Sequence, residues 1–229
     1  MTHLLARLFF FNGVLAVRSD QLAGLSNTIS VVIATKNREF RLSSCLQSIQ
    51  HCGVPSGRDV EVIVVDNNSQ DGTRRVVEEL AESSEKPAFR YLYERRDGKS
   101  FAVNTGVAAA RGAIIAFTDD DVVVDKNWLE SLVEEFSRDR EVGLLAGRVE
   151  IAGEAGEAVA VTRSLKEKAL KPQESLDGLI LGCNLAVRRE VLERVQSRDT
   201  RLGPGRGLSC EDIDFAYRVL RAGFRGRFS

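Results

Sequence analysis

Ala113-Ile114-Ile115-Ala116-Phe117-Thr118-Asp119-Asp120-Asp121 is the stretch that decides how this chain is read. An apolar run suited to a buried strand passes directly into three consecutive carboxylates. Such strands end at the surface, and in open α/β sheets ligands gather beyond the carboxyl ends of the strands. Three acids packed there repel one another unless a cation or a hydrogen-bonded ligand compensates. Hard oxygen donors suit Mg2+ or Mn2+, ions that commonly sit between carboxylates and a substrate's phosphates. An acidic loop or helix N-terminus is the plainer alternative, since Asp is favoured ahead of a helix such as the one expected from near Lys126.

Upstream of that stretch, strand and helix patterns alternate. Residues 29–34 and 60–65 read as buried strands, the second ended by Asp66. Residues 40–50 have helical spacing of apolar positions. The polar turn Asn67-Asn68-Ser69-Gln70-Asp71-Gly72 precedes a helix expected over 73–82. A short strand over 89–93 and a helix over 101–110 lead back to the acid run. Downstream, the spacing predicts a helix over 126–138, a strand over 142–151, an apolar run over 179–187, a helix starting near Arg189 and another over 211–221. Strands separated by helical segments imply a mostly parallel sheet with helices on both faces.

Bulk properties narrow the classes. At 229 residues with 43% hydrophobic content the chain can bury a substantial core. A net charge of −1, from 32 basic and 33 acidic side chains, gives no overall attraction to nucleic acid. Cysteines 45, 52, 183 and 210 show no zinc-like spacing and suit free thiols in a reduced compartment. His3 and His51 alone leave little room for histidine-based catalysis.

Residues 1–28 read differently from the rest. The apolar segment over 4–17 is interrupted by Arg7 and Asn12 and is shorter than the roughly 20 residues of a membrane span. Arg7 also breaks a signal-peptide pattern, and no small-residue cleavage site follows. An interfacial helix is one alternative; the favoured reading is a helical or disordered extension outside the domain.

Two motifs mislead. Gly98-Lys99-Ser100 looks like the end of a phosphate-binding P-loop, but Tyr93 stands where the motif needs its first glycine. No G-x-G-x-x-G follows the first strand; Thr35-Lys36-Asn37-Arg38 is there instead, which argues against a dinucleotide site.

Taken in order, residues 30–38, residues 61–73, Asn104-Thr105-Gly106 with Ala110-Arg111-Gly112, residues 117–121, residues 182–190 and Glu211-Asp212 strongly resemble the family 2 glycosyltransferases. Those are inverting enzymes with the GT-A fold, and the resemblance covers about residues 29–228. It implies an α/β, GT-A (nucleotide-diphospho-sugar transferase) Rossmann-like sandwich with a mostly parallel central sheet over 29–229. The nucleotide-binding half would be about 29–121 and the acceptor half about 122–229. By resemblance, Thr35, Asn37, Arg38 and Asp66 contact the nucleoside, and Asn104 and Arg111 lie near it. Asp119 and Asp120 belong to the donor site, with Asp119 facing the ribose. Asp121, with Asp119, holds Mn2+ or Mg2+ against the two phosphates. Gly182, Cys183 and Asn184 line the donor-sugar and acceptor side. Asp212, with Glu211, supplies the general base that an in-line displacement at the anomeric carbon requires.

The same resemblance implies a UDP- or GDP-sugar donor and a glycan, lipid-linked or small-molecule acceptor, as in cell-envelope polysaccharide biosynthesis. It implies no nucleic-acid partner, and a cytoplasmic enzyme that can associate peripherally with the inner face of the membrane. Two departures stand out. The chain ends at Ser229, just past Ala222-Gly223-Phe224, where many relatives continue through another strand and supply a histidine near the metal. Either the fragment is truncated, or the metal is held by Asp121, phosphates and water alone. The absence of a Q-x-x-R-W-type motif argues against a processive synthase. Competing readings are a non-catalytic nucleotide-sugar binder and a sugar nucleotidyltransferase, although the latter needs glycines that residues 35–38 lack.

Overall fold

Residues 29–34 and 60–65 are apolar on both sides of the strand, so only a sheet covered on both faces can bury them. The computed structural model describes residues 7–10, 13–16, 27–150, 162, 166–204 and 208–229. In chain order the elements are β1 (Arg7–Phe10), β2 (Gly13–Ala16), β3 (Thr28–Thr35), α1 (Glu39–Gln50), β4 (Asp59–Asp66), α2 (Thr73–Ser83), β5 (Ala88–Tyr93) and α3 (Lys99–Ala109). They continue with β6 (Ile114–Asp119), α4 (Trp128–Arg138), β7 (Val142–Ala146), β8 (Lys168–Leu170), β9 (Leu185–Arg188), α5 (Arg189–Arg194), α6 (Glu211–Arg221) and β10 (Arg225–Phe228).

The main sheet has the order β5-β4-β3-β6-β9-β7-β10-β8. Strands β3, β4, β5, β6, β7 and β10 run in one direction, and β9 and β8 run against them. This is the expected α/β GT-A architecture. Alternation along the strands divides the core in two. Ile29, Val31 and Ile33 of β3 and Ile114 and Ala116 of β6 pack with Leu42 and Leu46 of α1 and with Leu129 and Phe136 of α4. On the opposite face Val32, Ile115 and Phe117 pack with Ala102 and Val103 of α3 and with Phe215 and Val219 of α6. Helices α3 and α6 therefore share one face, which sets up the site.

Several expectations change. Residues 7–10 and 13–16 pair antiparallel, with Phe10 opposite Gly13, so for them the helical or disordered extension is corrected to a strand pair. Phe9, Phe10 and Val14 favour strands; the rest of that reading lies outside the described residues. The strand expected over 142–151 ends at Ala146, and its last residue is not described. The apolar run over 179–187 is a strand only at Leu185–Arg188, preceded by a 3-10 turn at Gly182–Asn184. The further strand expected to be missing is present: Arg225–Phe228 lies parallel to β7 and antiparallel to β8.

Gly106 lets α3 lie close on the sheet. A Cβ there would meet Val32 Cγ1 at 2.5 Å and Val65 Cγ2 at 3.1 Å. We predict that Gly106→Val destabilises the fold by at least ~2 kcal/mol through overpacking, read as a lower urea midpoint at unchanged slope. An unchanged midpoint would mean that α3 can shift freely on the sheet.

Candidate active site

Parallel register sets Ala34 opposite Asp119 and Thr35 opposite Asp66, so Thr35, Asp66 and Asp119 share the carboxyl edge of the sheet. On the face shared by α3 and α6, Phe215 of α6 meets Phe117 of β6 edge-on, with ring centroids 6.5 Å apart. Both helices begin at this edge. Gly98, at φ 131, makes the turn into α3 that most residues could not adopt. It presents Lys99, whose Nζ lies 2.6 Å from Asp119 Oδ1. Burial opposes the Lys99 charge, but Asp119, then Asp212 and Glu211, outweigh it and hold the ammonium above its ordinary range. One lysine thus contacts the acid run and feels the charge of the acids that open α6.

The acid run alternates as a strand end should. Asp120 points inward and is buried; its Oδ2 accepts from Thr35 Oγ1 at 2.7 Å and its Oδ1 from Arg38 Nη1 at 3.0 Å. Burial raises its carboxyl above the ordinary range, against those two donors. Asp119 and Asp121 point outward. Asp121 Oδ2 accepts from Arg38 Nη1 at 2.8 Å and from Arg41 Nη1 at 3.5 Å.

Across the edge, Glu211 is buried, and its carboxyl is raised first by burial and then by Asp212. Asp212 Oδ1 accepts from Arg198 Nε at 2.8 Å, and Arg198 Nη2 lies 2.7 Å from the same oxygen. Gly182 abuts this carboxylate so closely that a side chain would fall on Asp212 Oδ2. The glycine makes room for Asp212. Beside them the Cys183 thiol is pushed up to about 12 by burial and then by Asp119, so it is no nucleophile at neutral pH.

Other sequence-derived residues serve the framework. Asp66 is buried, accepting from Ser69 N–H at 2.8 Å and from the Tyr91 hydroxyl at 2.8 Å. Asn37 holds the same loop, its Oδ1 accepting from Gln70 N–H at 2.7 Å. Asn104 Oδ1 accepts from Arg198 N–H at 2.9 Å and its Nδ2 donates to Arg198 O at 2.8 Å, so its amide faces the 198 backbone. Asn184 Oδ1 accepts from Trp128 Nε1 at 3.0 Å, and its Nδ2 donates to Arg148 O at 2.9 Å. Arg111 is not brought to the site: it precedes β6 at the opposite end of that strand, its N–H donating to Glu61 Oε1 at 2.7 Å. Sequence reasoning missed Lys99 and Arg198. Lys99 was legible as a cation after a glycine at a helix start; a lone buried arginine leaves no pattern.

Among the described residues no cluster of three or more His, Cys, Asp or Glu is arranged to hold a metal ion. The outward pair Asp119 and Asp121 offers carboxylate oxygens only, now neutralised by Lys99, Arg38 and Arg41. Mg2+ or Mn2+ is commonly bound by one or two carboxylates, completed by substrate phosphates and water. The donor set fits such an ion. Among the described residues no helix is long and apolar enough to cross a membrane.

The profile described as Glycosyl transferase family 2 matches residues 30–196. Glycosyltransferase AglE of Haloferax volcanii is 29% identical over 202 residues, 88% of this chain and 64% of AglE. The mannosyltransferase PcManGT of Pyrobaculum calidifontis, solved in complex with GDP-Man and Mn2+, is 25% identical with a TM-score of 0.66, over 86% of this chain and 53% of that one. S. aureus TarS, solved with UDP-GlcNAc, superposes over 88% of this chain and 56% of its own, with a TM-score of 0.73 at 21% identity. The chain thus spans less than two thirds of the length of these relatives.

Two predictions follow from the geometry. Gly182→Ala forces Asp212 off its present position, so any turnover that depends on Asp212 should fall by roughly 100-fold with a melting temperature shifted by only a few degrees. Wild-type turnover in that variant would contradict the contact. Separately, Glu94 is pulled down to about 2, first by the Arg96 hydrogen bond and, against burial, also by the Thr105 hydroxyl. Its contribution to stability is full above its ordinary 4.5 and is lost as pH falls toward 2. Because Arg96 is more than half exposed, we expect only about 1–2 kcal/mol. Glu94→Gln should remove that part of the acid limb in pH-dependent urea melts; an unaltered limb would rule the pair out.

Proposed function

This chain belongs to glycosyl transferase family 2, and from that premise we propose that it moves a sugar from a nucleotide donor, a UDP- or GDP-sugar, to an acceptor hydroxyl with inversion. The observation that carries this reading is the contact of Lys99 with Asp119 at 2.6 Å, with Asp212 and Glu211 near enough to act on the same ammonium. A single displacement needs opposite charges at its two ends, and this edge of the sheet has both. Lys99 faces the place where a departing diphosphate gathers negative charge. Asp212, whose side chain keeps 17% of its surface exposed, takes the proton from the acceptor hydroxyl as its oxygen attacks the anomeric carbon.

In this reading residues 29–121 form the donor half and 122–229 the acceptor half. Thr35, Asn37, Arg38 and Asp66 frame the nucleoside pocket, and Asp66 holds its loop in shape through Ser69 and Tyr91. Asp120 anchors Thr35 and Arg38 from below. Asp121 and Asp119 would hold Mn2+ or Mg2+, which when bound neutralises charge on the diphosphate. Arg38 and Arg41, about half or more exposed, are free to release Asp121 for that purpose. The acceptor is a glycan, a lipid-linked molecule or a small molecule, and a screen of acceptors of these three kinds identifies which.

Release of nucleoside diphosphate from a panel of UDP- and GDP-sugars, with and without EDTA, tests the proposal. We expect release from one donor, suppressed by EDTA and restored by Mn2+. Asp121→Ala should weaken donor and Mn2+ binding together. Asp212→Asn should reduce transfer by at least roughly 1000-fold while donor affinity changes little. Donor binding without release from the wild-type chain would favour a non-catalytic binder instead, and near-normal turnover in Asp212→Asn would overturn the base assignment.

A further inference from the structure

Arg198 is among the largest side chains sealed in this protein, only 1% exposed, and nothing in its sequence context announces it. Its guanidinium sits in the corner made by two edge-on rings, 4.4 Å from the centroid of Phe117 and 4.3 Å from that of Phe215. Its backbone is held on both sides by the Asn104 amide. Nε and Nη2 both address one oxygen, Asp212 Oδ1. Nη1 is buried and has no hydrogen-bond partner among the described residues. Stability alone accounts poorly for this design. A buried ion pair can often be replaced by apolar residues at no loss, and an unpaired buried donor is unfavourable. What the arrangement does achieve is orientation: the two rings and the Asn104 clamp confine Arg198, and its Nε and Nη2 together hold one carboxylate oxygen.

We propose that Arg198 is a positioning residue for Asp212, occupying Oδ1 and leaving Oδ2, over Gly182, as the oxygen that receives the acceptor proton. This rests on the glycosyl-transfer reading above. In the step concerned, the acceptor oxygen forms its bond to the anomeric carbon as its O–H bond breaks. The proton passes to Oδ2, and the bond from the anomeric carbon to the diphosphate breaks, its electron pair leaving with the nucleoside diphosphate. Arg198 keeps its hold on Oδ1 throughout, so the acid formed on Oδ2 stays in place. Gly182 packs directly against that oxygen and, having no side chain, leaves it room.

A double-mutant cycle on nucleoside diphosphate release tests this, using the full chain and the donor that the panel identifies. Arg198→Met should lower kcat by roughly 100-fold with the donor KM within about threefold. In the Asp212→Asn background the same change should alter the residual rate by less than about threefold, because there is no longer a base to orient. Arg198→Lys keeps the charge without the fork and should lie between Met and wild type. It carries the same comparison if the Met variant does not fold, as judged by thermal melting. Losses that multiply in the double variant would overturn the positioning role while leaving the proposed function intact. A well-folded wild-type chain that released no diphosphate from any donor would overturn both.

Discussion

Asp119, Asp120, Asp121, Glu211 and Asp212 crowd one edge of a sheet, and two such charges 4 Å apart repel by about 4 kcal/mol at an effective dielectric near 20. The surrounding structure is organised by the need to offset that repulsion. Three cations each answer more than one acid. Arg38 reaches Asp120 and Asp121; Lys99 contacts Asp119 and responds to Asp212 and Glu211; Arg198 grips Asp212 and opposes the raised carboxyl of Glu211. These cations come from the loop after β3, the start of α3 and the segment before α6. Segments distant in sequence are thereby tied to one edge by charge as well as by packing.

Packing decides where those cations can stand. Phe117 serves both purposes, since it buries one face of β6 against α6 and supplies one of the rings that flank Arg198. The loop that leads to Lys99 is fixed in the same way. Asn67 Nδ2 donates to the carbonyls of Glu94 and Arg96, while its Oδ1 accepts from Gly98 N–H at 2.8 Å. Buried polar groups in this loop are satisfied within it, so Lys99 enters the site from a rigid base.

Most of the fold was legible because parallel strands buried on both faces write continuous apolar runs, as at 29–34, 60–65 and 113–118. The site was legible where the chain itself repeats a chemistry, in the acid run and in Glu211-Asp212. What stayed hidden was partner choice. Asn104 and Asn184 have the residue type of ligand contacts, yet their amides face backbone carbonyls and N–H groups brought near only by folding. Arg111 adjoins a strand that leads to the site but lies at its far end, a distinction that needs strand direction and not composition. Short strands such as Arg225–Phe228 alternate too few residues to register as a pattern.

The cations differ in a way that bears on how ligands could enter. Arg38 and Arg41 are 47% and 61% exposed at the side chain, whereas Lys99 is 26% and Arg198 1% exposed. Exposed pairs contribute roughly 0–1 kcal/mol each, so their contacts to Asp121 can be exchanged for those of an arriving ion or phosphate with little loss. Removing a partner from a buried pair instead leaves an uncompensated charge, at a loss of about 3–5 kcal/mol. Asp121 is therefore held by replaceable partners and Asp212 by a fixed one. Asp121 can change what it binds between states, while Asp212 keeps one orientation. On the proposed function, a site that admits a charged donor yet holds its base still requires that asymmetry, and here it follows from how deeply each cation is buried.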